Sequence, residues 1–129
     1  MKIAPHPLLP ALLITLLTTA SASAQDLTGP QRNAVRSAEN YLSFKGFSRD
    51  GLIDQLSSSY GDGYERADAT IAVDSLSVDW NEQAVRAAEL YLQLMGFSCN
   101  GLIEQLSSDA GDKFTQSEAA YGAQQAGAC

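Results

Sequence analysis

The side chains with the clearest chemical potential are carboxylates that gather around two glycine-containing turns. They are Asp62, Glu65 and Asp68 in the first half of the chain and Asp109 and Asp112 in the second. Acid–base catalysis needs carboxylates whose pKa values are separated inside a cleft, and short helices with exposed turns do not suggest one. The D-x-D-x-D-G spacing of a calcium loop is also absent. We therefore expect these carboxylates to be solvated turn and cap residues.

Nucleophilic and zinc chemistry is restricted by the lack of histidine. The single histidine, His6, lies in the N-terminal segment that we expect to be removed. Without histidine the chain cannot build a Ser-His or Cys-His pair, nor a zinc site with histidine ligands. Two cysteines cannot supply four thiolates either. We predict no catalytic residue, no cofactor and no metal site, and hence a protein that is not an enzyme.

Cys99 and Cys129 are the only cysteines in the chain. In an oxidising compartment their simplest fate is a disulfide with each other. Such a bridge would close a loop of about 30 residues, which the chain-entropy treatment values at roughly 3–4 kcal/mol. The alternative is that Cys129, which is terminal and follows Gly127 and Ala128, pairs with another chain.

Residues 1–24 have the pattern of a secretory signal peptide. Lys2 gives a positive start, Leu8 to Leu17 supply an apolar run, and Ala22-Ser23-Ala24 supply small residues for a peptidase. The run of about ten residues is shorter than the roughly 20 that a membrane-spanning helix needs. No cysteine stands at the cleavage point to carry a lipid. We predict an exported protein, periplasmic or extracellular, that starts at Gln25 and has no stable membrane anchor.

The charge of the chain limits its partners. The formal net charge is −7, and loss of Lys2 with the signal makes it more negative. Nucleic acids and anionic membranes require a basic footprint, so we predict that neither is a partner. A basic protein partner is permitted, and residues 79–129 are the more acidic half, which places the expected contact at Asp109 and Asp112. The plain alternative is that the charge only keeps the protein soluble.

An internal repeat organises the rest of the chain. Residues 34–76 match residues 84–126 at an offset of 50, with 20 identities in 43 positions. Each copy predicts three short helices. In the first helix of each copy, apolar residues recur at helical spacing: Ala34, Val35, Ala38, Tyr41 and Leu42, and again Ala84, Val85, Ala88, Tyr91, Leu92 and Met95.

The helix starts are predicted by residues that can cap them. Ser48 and Ser98 precede the second helices as natural N-caps, Asp79 with Glu82 forms a capping pair, and Pro30 suits a first helical turn. Thr115 with Glu118 predicts a capping box for the last helix. In the first copy Glu65 replaces Thr115, so we expect a weaker cap there.

The helix ends are predicted by glycines. We expect Gly46 and Gly96 to stop the first helices as left-handed caps, and Gly61 and Gly111 to end the second helices. These boundaries predict an all-α fold of two tandem three-helix units, helix-turn-helix-like, packed as one compact body. Residues 25–78 form the first unit and residues 79–129 the second.

Two further features, a tryptophan at the junction of the units and the small residues of the last helix, concern how the helices pack together. Trp80 lies at their junction, where it either fills the space between the units or serves as a ligand-binding aromatic. The buried stripe of the last helix is made of very small residues, so it buries little apolar area. We expect that helix to be the least stable element. The residues of the stripe are Ala119, Gly122, Ala123 and Ala126.

The repeated pattern A-V-x-x-A-x-x-Y-L-x-x-x-G-F-S-x-x-G-L-I-x-Q-L, the T-x-x-E-A-x-Y segment and the linking V-D-W-N-x-Q-A resemble the Ltp-like family of host cell surface-exposed lipoproteins. The resemblance implies tandem helix-turn-helix-like repeats. In some prophage-encoded members it implies superinfection exclusion, in which the protein sits outside the cytoplasmic membrane and hinders DNA injection by another phage. This chain departs from the pattern by lacking the lipid-bearing cysteine and by carrying Cys99 where its own first repeat has Arg49.

These observations leave two functions in view. The first is an exported, non-catalytic interaction module that binds a protein partner at the cell envelope. The second is a structural component of the envelope or surface without a specific soluble ligand. Fold alone does not separate them, and the likeness to helix-turn-helix proteins does not indicate DNA binding in an acidic exported chain.

Overall fold

The computed structural model describes residues 2–5, 7 and 26–129. These residues form six helices and no strand: α1 (Gly29–Phe44), α2 (Arg49–Ser57), α3 (Arg66–Asp74), α4 (Trp80–Leu94), α5 (Cys99–Ser107) and α6 (Gln116–Gln125). The all-α prediction with three helices in each repeat is confirmed. Among the described residues, no helix is long and apolar enough to cross a membrane. The apolar run and the cleavage site of the predicted signal peptide lie outside the described residues.

The helix starts follow the predicted caps. The Ser48 and Ser98 hydroxyls accept hydrogen bonds from backbone N–H groups three residues later, at 2.9 and 3.0 Å. Asp79 accepts from the N–H of Glu82 at 3.2 Å. Thr115 and Glu118 form the reciprocal capping box, whereas Glu65 makes no side-chain cap bond, as expected from the sequence.

One cap was not predicted. Thr28 and Gln31 form a reciprocal capping box at the start of α1, with Pro30 in the first turn. The T-x-x-Q spacing satisfies two backbone donors that would otherwise lack partners, so both α1 and α6 begin in the same way.

The glycine predictions for the helix ends are wrong. Gly46 and Gly96 are not left-handed, and the residues after α1 and α4, Lys45 and Met95, are extended. The helices α2 and α5 end at their first serine, before the predicted glycines. Gly61 instead lies in a tight turn beside the backbone of α2, where an added Cβ would meet the Gln55 carbonyl oxygen at 2.0 Å.

Each unit has a core of its own. In unit one (25–78), Ala38, Leu52, Ile53, Leu56, Ala69 and Val73 are buried together. The corresponding core of unit two (79–129) is Ala84, Ala87, Ala88, Leu102, Leu106, Phe114, Ala119 and Ala123. Trp80, the first residue of α4, packs against the core of unit one. It therefore fills the junction between the units, as the first of the two interpretations predicted.

The small residues of α6 allow a close helix contact. Gly122 lies so near α4 that an added Cβ would meet the Ala84 carbonyl oxygen at 2.6 Å. The Ala/Gly stripe thus brings two helix backbones into direct contact. The van der Waals attraction between these backbones compensates for part of the apolar area that the small side chains do not bury.

Candidate functional site: the junction and the surfaces around it

The junction between the units is built on Gly46. An added Cβ there would lie 2.2 Å from the Gln83 carbonyl oxygen and 2.7 Å from the Ala87 nitrogen, both in α4. Arg86 completes the contact because its Nη1 donates to the Leu42 carbonyl oxygen near the end of α1, at 2.8 Å. Glycine is required here by close approach of two backbones, and not by its backbone angles.

A second contact joins α2 to the turn between α5 and α6. The Ser48 hydroxyl donates to the backbone carbonyl oxygen of Asp112, and Ser48 is only 2% exposed. The same serine caps α2 by accepting from Gly51. One hydroxyl therefore ties the start of a helix in unit one to unit two.

A third contact is ionic. Lys113 donates to Asp54 of unit one, and Arg66 donates to the other oxygen of the same carboxylate at 2.7 Å. These two cations hold the pKa of Asp54 below its ordinary value, with the hydrogen bond from Lys113 as the largest cause. All three side chains are partly exposed to solvent, so the network fixes geometry more than it stabilises the fold.

The backbone of Lys113 shows that this bridge has a conformational cost. Its φ is +61°, in the left-handed region that residues with a side chain seldom adopt, whereas the matching position in unit one is Gly63 with φ +70°. Both units use the same turn, and only unit two places a lysine there. That lysine reaches across to Asp54, which accounts for a side chain at a position that suits glycine.

The contacts surround an open cleft of about 350 Å³ between the units. Its walls include Phe47 and Tyr60 from unit one and both Asp112 and Lys113 from unit two. Tyr60 is fully exposed at the edge. The cleft is open and of mixed polarity, unlike the enclosed, mostly apolar cavities that usually bind small molecules.

A Tyr–Asp–Gln cluster recurs beside each glycine turn. In unit one the Tyr41 hydroxyl donates to Asp62 at 2.6 Å, and Gln55 donates to Tyr41. In unit two the Tyr91 hydroxyl donates to Asp112 at 3.2 Å, and Gln105 donates to Tyr91 at 3.1 Å. The cluster of unit one is exposed and that of unit two is partly covered by the junction.

Burial changes the ionisation of the second cluster. Desolvation raises the pKa of Asp112, against the hydrogen bond from Tyr91 and the nearby charge of Lys45. Its Oδ2 atom is buried and has no hydrogen-bond partner. Desolvation also raises the pKa of Tyr91, whereas the pKa of Tyr41 is raised chiefly by its hydrogen bond to Asp62.

The two residues predicted to contact a partner lie in one turn but in different environments. Asp109 is exposed, while Asp112 is partly buried and bonded within the chain through both its side chain and its backbone. Of the pair, Asp109 is therefore the one whose charge is open to a partner. Among the described residues, no group of three or more His, Cys, Asp or Glu side chains could hold a metal ion.

The structure joins Cys99 to Cys129 within the chain, with Cα atoms 4.7 Å apart. The bridge connects the first residue of α5 to the segment after α6. In unit one the matching residue, Arg49, pairs with Asp74 at the end of α3 through nitrogen–oxygen distances of 2.7 and 2.8 Å. Each unit thus ties its third helix to the start of its second. The pairing of the cysteines in solution stays a prediction.

Exposed apolar side chains near the junction were not anticipated from the sequence. Phe44 is 77% exposed, Leu94 70% and Met95 60%. Leu90, 40% exposed, lines one surface hollow together with Phe44 and another together with Leu94. The helical spacing had suggested that Met95 faces the core. A signal was present in the repeat itself, because Asn40 and Lys45 of unit one become Leu90 and Met95 in unit two.

Comparison with known proteins gives two findings. The profile of the Ltp lipoprotein family, described as host cell surface-exposed lipoproteins, matches residues 30–76 and again residues 79–125. Among solved structures, the chain is similar to Ltp, a superinfection exclusion protein from the Streptococcus thermophilus temperate phage TP-J34, with 34% sequence identity and a TM-score of 0.68.

That likeness covers 76% of this chain and 96% of the phage protein's chain. Comparison with curated proteins found no match. Because both repeats match the family profile and together span most of the sequence, the chain belongs to the Ltp family of host cell surface-exposed lipoproteins.

Proposed function

We propose that this chain is an exported, non-catalytic module that binds a basic protein partner at the cell envelope and thereby hinders superinfection by a phage. The observation that carries the proposal is the likeness to a superinfection exclusion protein along 96% of that protein's chain. A likeness of this extent includes both repeats, so it concerns the arrangement of the units and not a single shared motif.

The charge distribution supports a basic partner. Unit two carries seven acidic residues against Arg86 and Lys113. Lys113 pairs with Asp54 of unit one, and Arg86 donates to the neutral Leu42 carbonyl, so both cations lie at the junction. Seven acids less two cations leave unit two with a formal excess of five negative charges. Asp109 is exposed in the turn beside the cleft. A positively charged partner would be attracted to this side of the molecule.

Binding, as opposed to catalysis, is supported by the roles that the carboxylates have in the fold. Asp54 and Asp74 lie in ion pairs, Asp79 and Glu118 cap helices, and Asp62 accepts from Tyr41. Each of these carboxylates has a structural task that accounts for its position.

The test is a phage challenge. A bacterial host producing the full chain with its own leader should show fewer plaques with a susceptible tailed phage, while adsorption of the phage stays unchanged. The Asp109→Lys variant should restore plaquing, and Glu39→Lys, an equal charge change at an exposed site on unit one, should not. Asp112 is unsuitable for this test because its reversal would disturb the junction.

The partner is then sought by crosslinking. A basic protein that crosslinks to the wild-type chain should bind the purified chain more weakly as salt rises, with the main change in association rate. Unchanged plaquing with every phage tested, or loss of plaquing that Asp109→Lys and Glu39→Lys relieve equally, would contradict the proposal.

A further inference from the structure

The contact between the two units has two halves, and a second copy of each half is exposed elsewhere on the molecule. The receiving half lies in unit one and consists of the Leu42 carbonyl, Gly46 and Ser48. The inserting half lies on α4. It consists of Gln83, Arg86 and Ala87. The repeat offset of 50 residues assigns every member a counterpart in the other unit.

The counterpart of the receiving half is uncovered. Gly46 and Ser48 are buried under unit two, whereas Gly96 and Ser98 are exposed. An added Cβ at Gly96 would meet no atom within 4 Å, in contrast to the 2.2 Å contact at Gly46. Leu94 and Met95, both largely exposed, stand next to this surface. Unit two therefore presents the same local backbone that unit one uses to receive a helix.

Two of the three counterparts of the inserting half, Asn33 and Arg36, are also exposed, whereas the third, Ser37, is partly buried and hydrogen-bonded to the Tyr64 hydroxyl at 3.1 Å. In α4, Arg86 donates both to the Gln83 side-chain oxygen, at 3.0 Å, and to the Leu42 carbonyl oxygen. In α1, Arg36 donates in the same way to the Asn33 side-chain oxygen, at 3.3 Å, and both residues are exposed. The guanidinium of Arg36 is thus held in the arrangement that makes the junction, with no acceptor from a neighbouring unit.

We propose that a second copy of this chain docks head to tail, placing Arg36 and Asn33 of its unit one against the Leu92 carbonyl, Gly96 and Ser98 of unit two. The contact repeats the part of the internal junction that is formed by Gly46 and Arg86. Trp80, which also packs against unit one within the chain, has Pro30 as its counterpart, so that packing is not repeated. The two surfaces differ from each other, so the association is heterologous and each complex keeps one free surface of each kind. Dimers can therefore extend to longer assemblies.

The contact between copies is weaker than the junction within the chain. Gly63 stands where Lys113 makes its bridge to Asp54, so the ionic contact is missing between copies. Two copies also lack the short connection that gives linked units a high effective concentration. In addition, copies of a chain with net charge −7 repel each other. Screening of that repulsion makes the association stronger as salt rises.

The experiment is analytical ultracentrifugation of the exported protein from about 10 µM to about 1 mM, at low and moderate salt. The expected result is reversible association that grows with concentration and with salt. Gly96→Leu should reduce the association constant at least tenfold, because its side chain occupies the receiving surface. Arg36→Asp should do the same by removing the donor. Ser117→Leu, which places the same leucine side chain at an exposed position of α6, should leave association unchanged.

A mixing test separates head-to-tail docking from a symmetric dimer. Gly96→Leu keeps its inserting surface and Arg36→Asp keeps its receiving surface, so an equimolar mixture should form dimers that grow no larger. Both variants should stay folded, because neither residue makes a contact that the fold needs. Thermal melts of the two variants check this. A wild-type protein that is monomeric throughout the range, or a mixture of variants that fails to associate, overturns the proposal.

Discussion

Unit one and unit two place the same three helices around similar cores but tie the third helix down by different means. In unit one, Arg49 and Asp74 form an ion pair whose side chains are 41% and 49% exposed. In unit two the matching connection is the bridge between Cys99 and Cys129. Exposed ion pairs contribute about 0–1 kcal/mol, whereas closing a loop of this length is worth roughly 3–4 kcal/mol.

The difference follows the packing of the two third helices. Val73 in α3 is fully buried and contributes a branched side chain to the core of unit one. Its counterpart in α6 is Ala123, which leaves α6 with an Ala/Gly stripe. Because the smaller stripe buries less apolar area, α6 gains more from a covalent connection than α3 does. The stronger connection is therefore found where the third helix contributes less apolar side-chain area to the core.

Of the substitutions that test this difference between the units, removal of the disulfide should change the free energy of unfolding most. The Cys99→Ser, Cys129→Ser double variant should lose roughly 3–4 kcal/mol of unfolding free energy, measured by urea denaturation. Hydrogen exchange should show α6 opening first while α1 to α3 stay protected. Asp74→Ala, which removes the equivalent tie in unit one, should cost no more than about 1 kcal/mol.

Two results would contradict this account of the tie. One is a covalent dimer as the main species on non-reducing electrophoresis, because Cys129 would then pair between chains. The other is equal loss of protection in both units after reduction, since the bridge would then act on the whole molecule and not on α6.

The two glycines that follow the first helices provide the next comparison. Gly46→Ala adds a Cβ within 2.2 Å of the Gln83 carbonyl, so the junction must open. We expect a loss of about 1–3 kcal/mol in unfolding free energy, the usual range for overpacking. Gly96→Ala, with no atom within 4 Å, should change it by no more than about 0.5 kcal/mol. Equal effects of the two substitutions would mean that the junction does not depend on close approach at Gly46.

This pair of glycines also shows where prediction from sequence stops. The repeat is visible as a match of the sequence to itself, and the possible bridge follows from the presence of just two cysteines. The helix starts depend on residues close in sequence, since capping residues such as Ser48 and Thr115 indicate their helices directly. Gly46 and Gly96 look identical by the same criteria. Only the position of α4, some 40 residues further along, makes one of them a contact and leaves the other open.

The helix ends and the exposed surface were harder to predict from the sequence, because they too depend on contacts with residues distant in the chain. A glycine near a helix end suggests a left-handed cap, yet Lys45 and Met95 end their helices in extended conformations that lead into the next N-cap. Helical spacing placed Met95 on the core face, although the helix ends one residue earlier. For the candidate site, the sequence indicated the turn that carries Asp109 and Asp112 but not that the junction would cover one of them.

The smallest effect that we predict is a pH dependence that comes from the partly buried Asp112. Burial raises the pKa of Asp112 from its ordinary value of 3.8, so the folded state holds that proton to a higher pH than the unfolded chain does. The resulting stability is present below the unfolded pKa and is lost as pH rises through the folded pKa. At neutral pH the buried, unpaired Oδ2 is therefore a cost.

The Asp112→Asn variant should remove the cost of the buried charge, since the amide keeps an oxygen for the Tyr91 hydroxyl and is neutral. Its melting temperature relative to wild type should therefore rise between pH 3 and pH 7. Thermal melts of the variant and of the wild type across this range provide the measurement. A difference from wild type that is constant with pH would mean that burial at the junction does not raise the pKa of Asp112.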